Sequence, residues 1–288
     1  MFFLKLTISL GITVTIQLLW AEGALAWGPA IHTVTALSAL DGAGAILPSI
    51  AGIITSFPLQ YMYGCLAADF FIGKGKNRRA GHPHNWEGGF KFLSEAGDDR
   101  EASFAYGFLS HLAADVVAHN FYVPNLIGSY PAWTRKGHLY WELKADYLVG
   151  PDYIKIARDV LSMDHKGCDE LLNLIAGKRR NGIKAKKRIF TQSVKFSDYL
   201  YSTHSVLFGG KVVRWQEFQK YLALMVGLSC RLVKGFLSNP DSCPCLSYDP
   251  MGRQNLRLVS RRKRVFAGSF STQRPSRRFT LDKELLKL

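Results

Sequence analysis

The stretch that decides the fold is Glu101–Val123, EASFAYGFLSHLAADVVAHNFYV. Apolar residues recur every three or four positions, which reads as one long buried helix closed by Pro124. Three residues do not suit an apolar helix: His111, Asp115 and His119. A step of four residues advances ~400°, so each is offset by only ~40° from the one before. All three line one stripe. Two imidazoles and a carboxylate in such a helix cost roughly several kcal/mol unless they are paired or bound to metal. One buried histidine is usually a hydrogen-bonded core residue. Three polar groups on one stripe ask for a shared ligand.

Outward from this helix the same chemistry recurs. His138 and Glu142 repeat the i, i+4 spacing in HLYWELKADYLV, His138–Val149. Nitrogen and oxygen donors without thiolate suit zinc in an open, catalytic site. Upstream stand Asp69 in GCLAADFF, His82 and His84 in GHPHNWEGGF, and His32 in ALAWGPAIH, Ala24–His32. Of the 8 histidines, 6 lie between His32 and His138. His165 and His204 fall outside that span and are set aside, as having no carboxylate partner at metal spacing.

Residues 1–26 read as a secretory signal. Lys5 sits in a short n-region, an apolar run follows from Leu6 to Trp20, and Ala24-Leu25-Ala26 supplies the cleavage triplet. The alternative is an uncleaved N-terminal anchor. Cleavage would make Trp27 the first residue of an exported, periplasmic or extracellular protein. Of the five cysteines (Cys65, Cys168, Cys230, Cys243 and Cys245), an odd one is left over from any pairing. Cys243-Pro-Cys245 is too tight for the usual zinc spacing. The core must therefore come from packing.

The rest of the chain reads as helices broken by Gly, Pro and Asn. HTVTALSAL, His32–Leu40, is a short amphipathic helix, and Gln216–Leu237 a long apolar one. The expectation is an all-α protein: one helical domain over 27–250, then a basic tail, 251–288. The chain has 288 residues and a formal net charge of +15. Met251–Leu288 holds 11 Lys/Arg against 2 Asp/Glu, and GKRRNGIKAKKR, Gly177–Arg188, is a second basic run. Such runs are usually solvated, and also attract anionic phosphate on lipid or nucleic acid. The tail from Gly252 is expected to be poorly ordered, with LDKELLKL, Leu281–Leu288, as a short helix.

Taken in order, Trp27-x4-His32, Asp69, His84, His111-x3-Asp115-x3-His119 and His138-x3-Glu142 resemble the zinc-dependent phospholipase C family. That superfamily includes bacterial phospholipases C, glycosylphosphatidylinositol phospholipase D and the single-strand-specific zinc nucleases. The resemblance runs from Trp27 to Gly150. The Asp115-to-His119 gap is two residues shorter than in the better-studied phospholipases C and nucleases.

The resemblance implies up to three zinc ions. One would be held by Asp69, His84, His111 and Asp115. A second would be held by Asp115, His32 and Trp27, the last through its α-amino nitrogen and carbonyl oxygen. The third would be held by His119, His138 and Glu142. His82 is the rival to His84, which is preferred because HNWEGG begins a helix as the family's ligand segment does. Asp69 would orient or deprotonate the attacking water. The free amine at Trp27 has a pKa near ~8, so zinc binding there should weaken as pH falls.

The activity implied is hydrolysis of phospholipid head groups by a phospholipase C-type phosphodiesterase at an anionic membrane surface. Two alternatives remain. One is a single-strand nuclease on the same metal core, with Tyr61, Tyr63, Trp86 and Trp133 as base-stacking platforms. The other is a non-catalytic, zinc-stabilised membrane-binding domain.

Overall fold

The computed structural model describes residues 27–71, 83–129, 136–176, 180–203, 215–266 and 279–287. Among them there is helix and no strand, as the sequence predicts. The helices used below are α1 (Pro29–Asp41), α2 (Pro48–Ser56), α3 (Pro58–Ala67), α4 (Trp86–Ser94), α5 (Asp99–Val117), α6 (Val123–Ser129) and α7 (Lys136–Val149). They continue with α8 (Pro151–Ser162), α9 (Lys166–Ala176), α10 (Arg180–Thr203), α11 (Trp215–Ser238), α12 (Arg253–Phe266) and α13 (Lys283–Leu286).

Helix α5 is the axis. Asp98 caps it by accepting from the Glu101 amide at 2.8 Å. Every residue from Gly107 to Val117 is buried. Its most extensive partner is α3. The two backbones approach closely through a pair of glycines. A Cβ on Gly64 would lie 2.0 Å from the Phe104 carbonyl oxygen, and one on Gly107 would lie 2.0 Å from that of Tyr61. Neither position admits a side chain. Helices α4 and α11 also pack on α5. By length and apolarity Phe218–Ser238 matches a membrane span, but half of that window is buried. Leu228, Leu232 and Phe236 are wholly enclosed, so α11 serves as a core helix.

The structure departs from the expected helices in three places. The stretch 101–123 is not one regular helix: α5 ends at Val117, a π-turn spans Ala118–Tyr122, and α6 follows. Pro124 does not close the run. It lacks the N–H that would bond to the Asn120 carbonyl four residues back, and that carbonyl accepts from the Asn255 side chain at 2.9 Å. Helix α1 is not amphipathic, because Ala30, Ile31, His32, Thr33, Thr35, Ala36 and Ala39 are all buried. It threads the interior.

The tail departs too. Residues 253–266, expected to be poorly ordered, form α12, which packs on the π-turn and α6. Apolar positions Leu256 and Val259 give it a packing side. The short helix expected within Leu281–Leu288 forms as α13. Its segment docks through Asn125, whose side chain donates to the Phe279 carbonyl at 3.0 Å and accepts from the Phe279 amide at 2.8 Å.

Candidate metal centre

Five polar side chains from three helices and one loop converge beside the π-turn. His32 comes from α1. His84 lies just before Asn85, the residue whose side chain caps α4. His111 and Asp115 come from α5, and His119 is the second residue of the π-turn. His32, His84, His111 and His119 are fully enclosed, and Asp115 is 1% exposed.

The distances converge on Asp115. His32 Nε2 is 3.4 Å from Asp115 Oδ1. From Asp115 Oδ2, His84 Nε2 is 3.4 Å, His111 Nε2 3.2 Å and His119 Nε2 3.6 Å away. His111 Nε2 also lies 3.6 Å from Asp69 Oδ1 and 3.0 Å from His84 Nε2. The His32 and His111 rings stack, with centroids 3.7 Å apart. Donor atoms that share a tetrahedral zinc at about 2.0–2.2 Å lie about 3.3–3.6 Å from one another. Most of these separations have the length of a coordination edge and are longer than a good hydrogen bond.

The unmet hydrogen-bonding capacity agrees. Both ring nitrogens of His32, both of His119, and Asp115 Oδ1 have no hydrogen-bond partner among the described residues. Buried polar atoms left this way are costly. A divalent cation beside Asp115 would engage the Nε2 atoms of His32 and His119 together with Asp115 Oδ1. His111 is fixed from behind: its Nδ1 lies 2.7 Å from the Cys65 carbonyl, which accepts its proton and aims the Nε2 lone pair inward.

The electrostatics follow from burial and crowding. Burial pushes Asp69, in the 3-10 turn Ala68–Phe71, up to about 7, against the pull of His111. Burial lowers His84 to about 4, so its imidazole is neutral and fit to ligate. Burial would raise Asp115, but His111, His119 and His32 hold it well below the usual carboxylate range.

Two groups of three donors could each hold an ion: His32, Asp69 and His111, and His84, His111 and Asp115. The structure thus brings together six of the nine residues singled out in the sequence: His32, Asp69, His84, His111, Asp115 and His119. Trp27 is buried beside them, its ring tilted on Tyr122 at 4.4 Å and its Nε1 donating to Ser229 Oγ at 3.0 Å. The side chains of His138 and Glu142 lie outside the described residues, though their backbone belongs to α7. His82, the rival of His84, and Trp133 also lie outside them.

One residue of the site was missed. Asp146 stands one helical turn beyond Glu142 on α7, and its carboxylate accepts from the Ala30 amide at 3.1 Å and the Ile31 amide at 3.2 Å. Helix α1 has no cap of its own, so a carboxylate 115 residues away in sequence supplies it. Burial lifts Asp146 to about 7, against those two amide bonds. A Cβ on Gly28 would lie 2.2 Å from this carboxylate. The signal was present as a second i+4 step, from Glu142 to Asp146, after the one from His138 to Glu142.

Three of the four stacking platforms expected of a nuclease are engaged in internal contacts. Tyr61 and Tyr63 are fully buried. Trp86 donates to the Tyr248 carbonyl at 2.8 Å and stacks on Phe236. His165 does have a carboxylate four residues on, Asp169, but that group receives the Tyr63 hydroxyl and Lys187.

An all-helical body with a buried, carboxylate-centred histidine cluster defines a helical metalloprotein with oxygen and nitrogen ligands. A family model for zinc-dependent phospholipase C matches residues 30–209, and the chain belongs to that family. No curated protein and no solved structure matches the chain. The match carries the relationship past Gly150, where the sequence motifs end.

Proposed function

We propose that the chain is an exported zinc phosphodiesterase that cleaves phospholipid head groups in the phospholipase C manner. The observation that carries this reading is the set of donor separations around Asp115, 3.2–3.6 Å to four histidine nitrogens. It accords with the family, whose name gives zinc and phospholipase C chemistry.

The residues fit the metal in number and kind. Asp69, His84, His111 and Asp115 would hold one zinc, and Asp115 with His32 and the freed end of Trp27 a second. His119 would join His138 and Glu142 around a third. Zinc supplies Lewis-acid charge for the phosphate oxygens and acidifies water to near neutrality. Asp115, held ionised by the surrounding histidines, would serve both ions. Asp69 orients the attacking water and takes its proton. His111, held by the Cys65 carbonyl, keeps the cluster in register. Removal of residues 1–26 would free the Trp27 amine, with α1 held in place by Asp146.

Substrate access supports lipid over nucleic acid. Tyr61 and Tyr63 are committed to the core, and the half-buried Trp86 is held against Phe236 and the Tyr248 carbonyl, which weighs against base stacking. Helix α12, with Arg253, Arg257 and the Arg261–Arg264 run in its sequence, packs beside the π-turn. A basic helix next to the centre suits an anionic bilayer.

The test is to give the mature protein, starting at Trp27, phosphatidylcholine vesicles and single-stranded DNA, with and without chelator. Release of choline phosphate that chelator abolishes is expected. Nucleotide release without lipid cleavage would replace this reading with the nuclease. No turnover with zinc fully loaded would leave a non-catalytic domain.

A further inference from the structure

Cys243 and Cys245 lie outside the metal centre and beyond the family match, in the link between α11 and α12. Their sulfurs are 3.1 Å apart, with the Cys245 thiol donating to Cys243. Both are buried. A disulfide needs about 2.0 Å, so the pair is roughly 1 Å from bonding. Pro244 between them fixes one backbone angle and starts the 3-10 turn Pro244–Ser247. The donated hydrogen bond lowers the Cys243 thiol to about 7 and, with burial, raises that of Cys245, so Cys243 is the thiolate that attacks first. Burial pushes the thiols of Cys65, Cys168 and Cys230 up instead.

The link that follows is a strap across the metal centre. The Tyr248 carbonyl accepts from Trp86, two residues past His84. The Asp249 carbonyl accepts from the Asn120 side chain at 2.9 Å, one residue past His119. Gly252, at φ +54°, lies so close to the backbone of His119 that an added Cβ would be 2.2 Å from its carbonyl oxygen. The strap thus touches the segments that carry His84 and His119.

We infer that Cys243 and Cys245 close into an intrachain disulfide that clamps this strap over the metal centre. The electrons go to a small-molecule disulfide such as oxidised glutathione. The Cys243 thiolate attacks one glutathione sulfur and releases one glutathione thiolate. The Cys245 thiolate then attacks Cys243 Sγ and releases the second. Two protons and two electrons leave the protein, and the oxidant becomes two thiols. An exported protein meets such oxidants. The inference concerns a site separate from the zinc ligands, and its readout uses neither metal content nor activity.

The test equilibrates the reduced, folded full-length chain with glutathione buffer rich in the disulfide form. An acid quench, denaturation, alkylation and peptide mass mapping follow. The expected product is two hydrogens lighter, with Cys243 and Cys245 protected together and Cys65, Cys168 and Cys230 alkylated. Cys243→Ser should leave Cys245 alkylated. The oxidised form should melt roughly 3 °C higher and show slower amide exchange over residues 246–252. Both thiols alkylated after equilibration, a persisting glutathione adduct, or pairing with another cysteine would overturn the bond. A bond that leaves strap exchange unchanged would overturn the clamp.

Discussion

Two histidine–carboxylate groupings flank the same helix, and only one has the makings of a metal site. In the first, four imidazoles surround Asp115 at coordination-edge distances, and His32 and His119 have no partnered nitrogen among the described residues. In the second, His165 lies flat on Tyr63, with centroids 3.8 Å apart, and its Nε2 lies 2.7 Å from the Val160 carbonyl. Asp169 there is occupied by Tyr63 and Lys187. The two share residue types and the i, i+4 spacing. They differ in how much polar capacity the protein itself fills. A grouping whose carboxylate is filled by hydroxyl and ammonium partners, with the single nitrogen His165 Nδ1 left over, is architecture, whereas one in which Asp115 Oδ1 and every ring nitrogen of His32 and His119 lack hydrogen-bond partners is built for an ion.

The most damaging way to break the comparison is Asp115→Asn. It halves the acceptor chemistry of the residue that every histidine faces. The rate of choline phosphate release should fall roughly 1,000-fold, with zinc content dropping in parallel. Retained zinc and rate would make Asp115 a structural group like Asp169.

Next in size is the N-terminus. One extra residue before Trp27 should remove a zinc ion and lower the rate roughly 10- to 100-fold. Unchanged metal content would show that the backbone of Trp27 is not a ligand.

The paired variants His119→Gln and His165→Gln sharpen the contrast directly. The first should lose zinc. The second should keep it and lose about 1 kcal/mol of stability in denaturant melts. Equal zinc loss in both would erase the distinction.

The last contrast concerns the Asp146 cap and bears on stability alone. Its carboxyl is lifted to about 7 in the folded chain from an unfolded value near ~3.9. Between those values the folded state holds a proton that the unfolded state has lost. Stability from this group is therefore full at low pH and declines as pH rises toward 7. Zinc-free wild type should lose up to about 4 kcal/mol relative to Asp146→Asn between those limits. Parallel pH profiles would remove Asp146 from that role.

The sequence disclosed what is local. The stripe through His111, Asp115 and His119 and the apolar run of α11 both follow from spacing within a few residues. Three features were hidden because their partners are distant in the chain. The π-turn depends on Asn255 taking the Asn120 carbonyl, and it changes where His119 points without altering the motif. Asp146 caps a helix more than a hundred residues upstream. Helix α12 read as a charged tail because only Leu256 and Val259 mark its packed side. Tyr61 and Tyr63 passed for stacking platforms until the Gly64–Gly107 crossing placed them inside.

The most direct test of the centre is metal analysis of the processed protein beginning at Trp27, folded and dialysed against metal-free buffer. The account predicts two to three zinc ions per chain, one on Asp69, His84, His111 and Asp115, a second on Asp115, His32 and the freed end of Trp27, and a third on His119, His138 and Glu142. A folded protein of unchanged helicity that retains no zinc, and takes up none on titration, would contradict it.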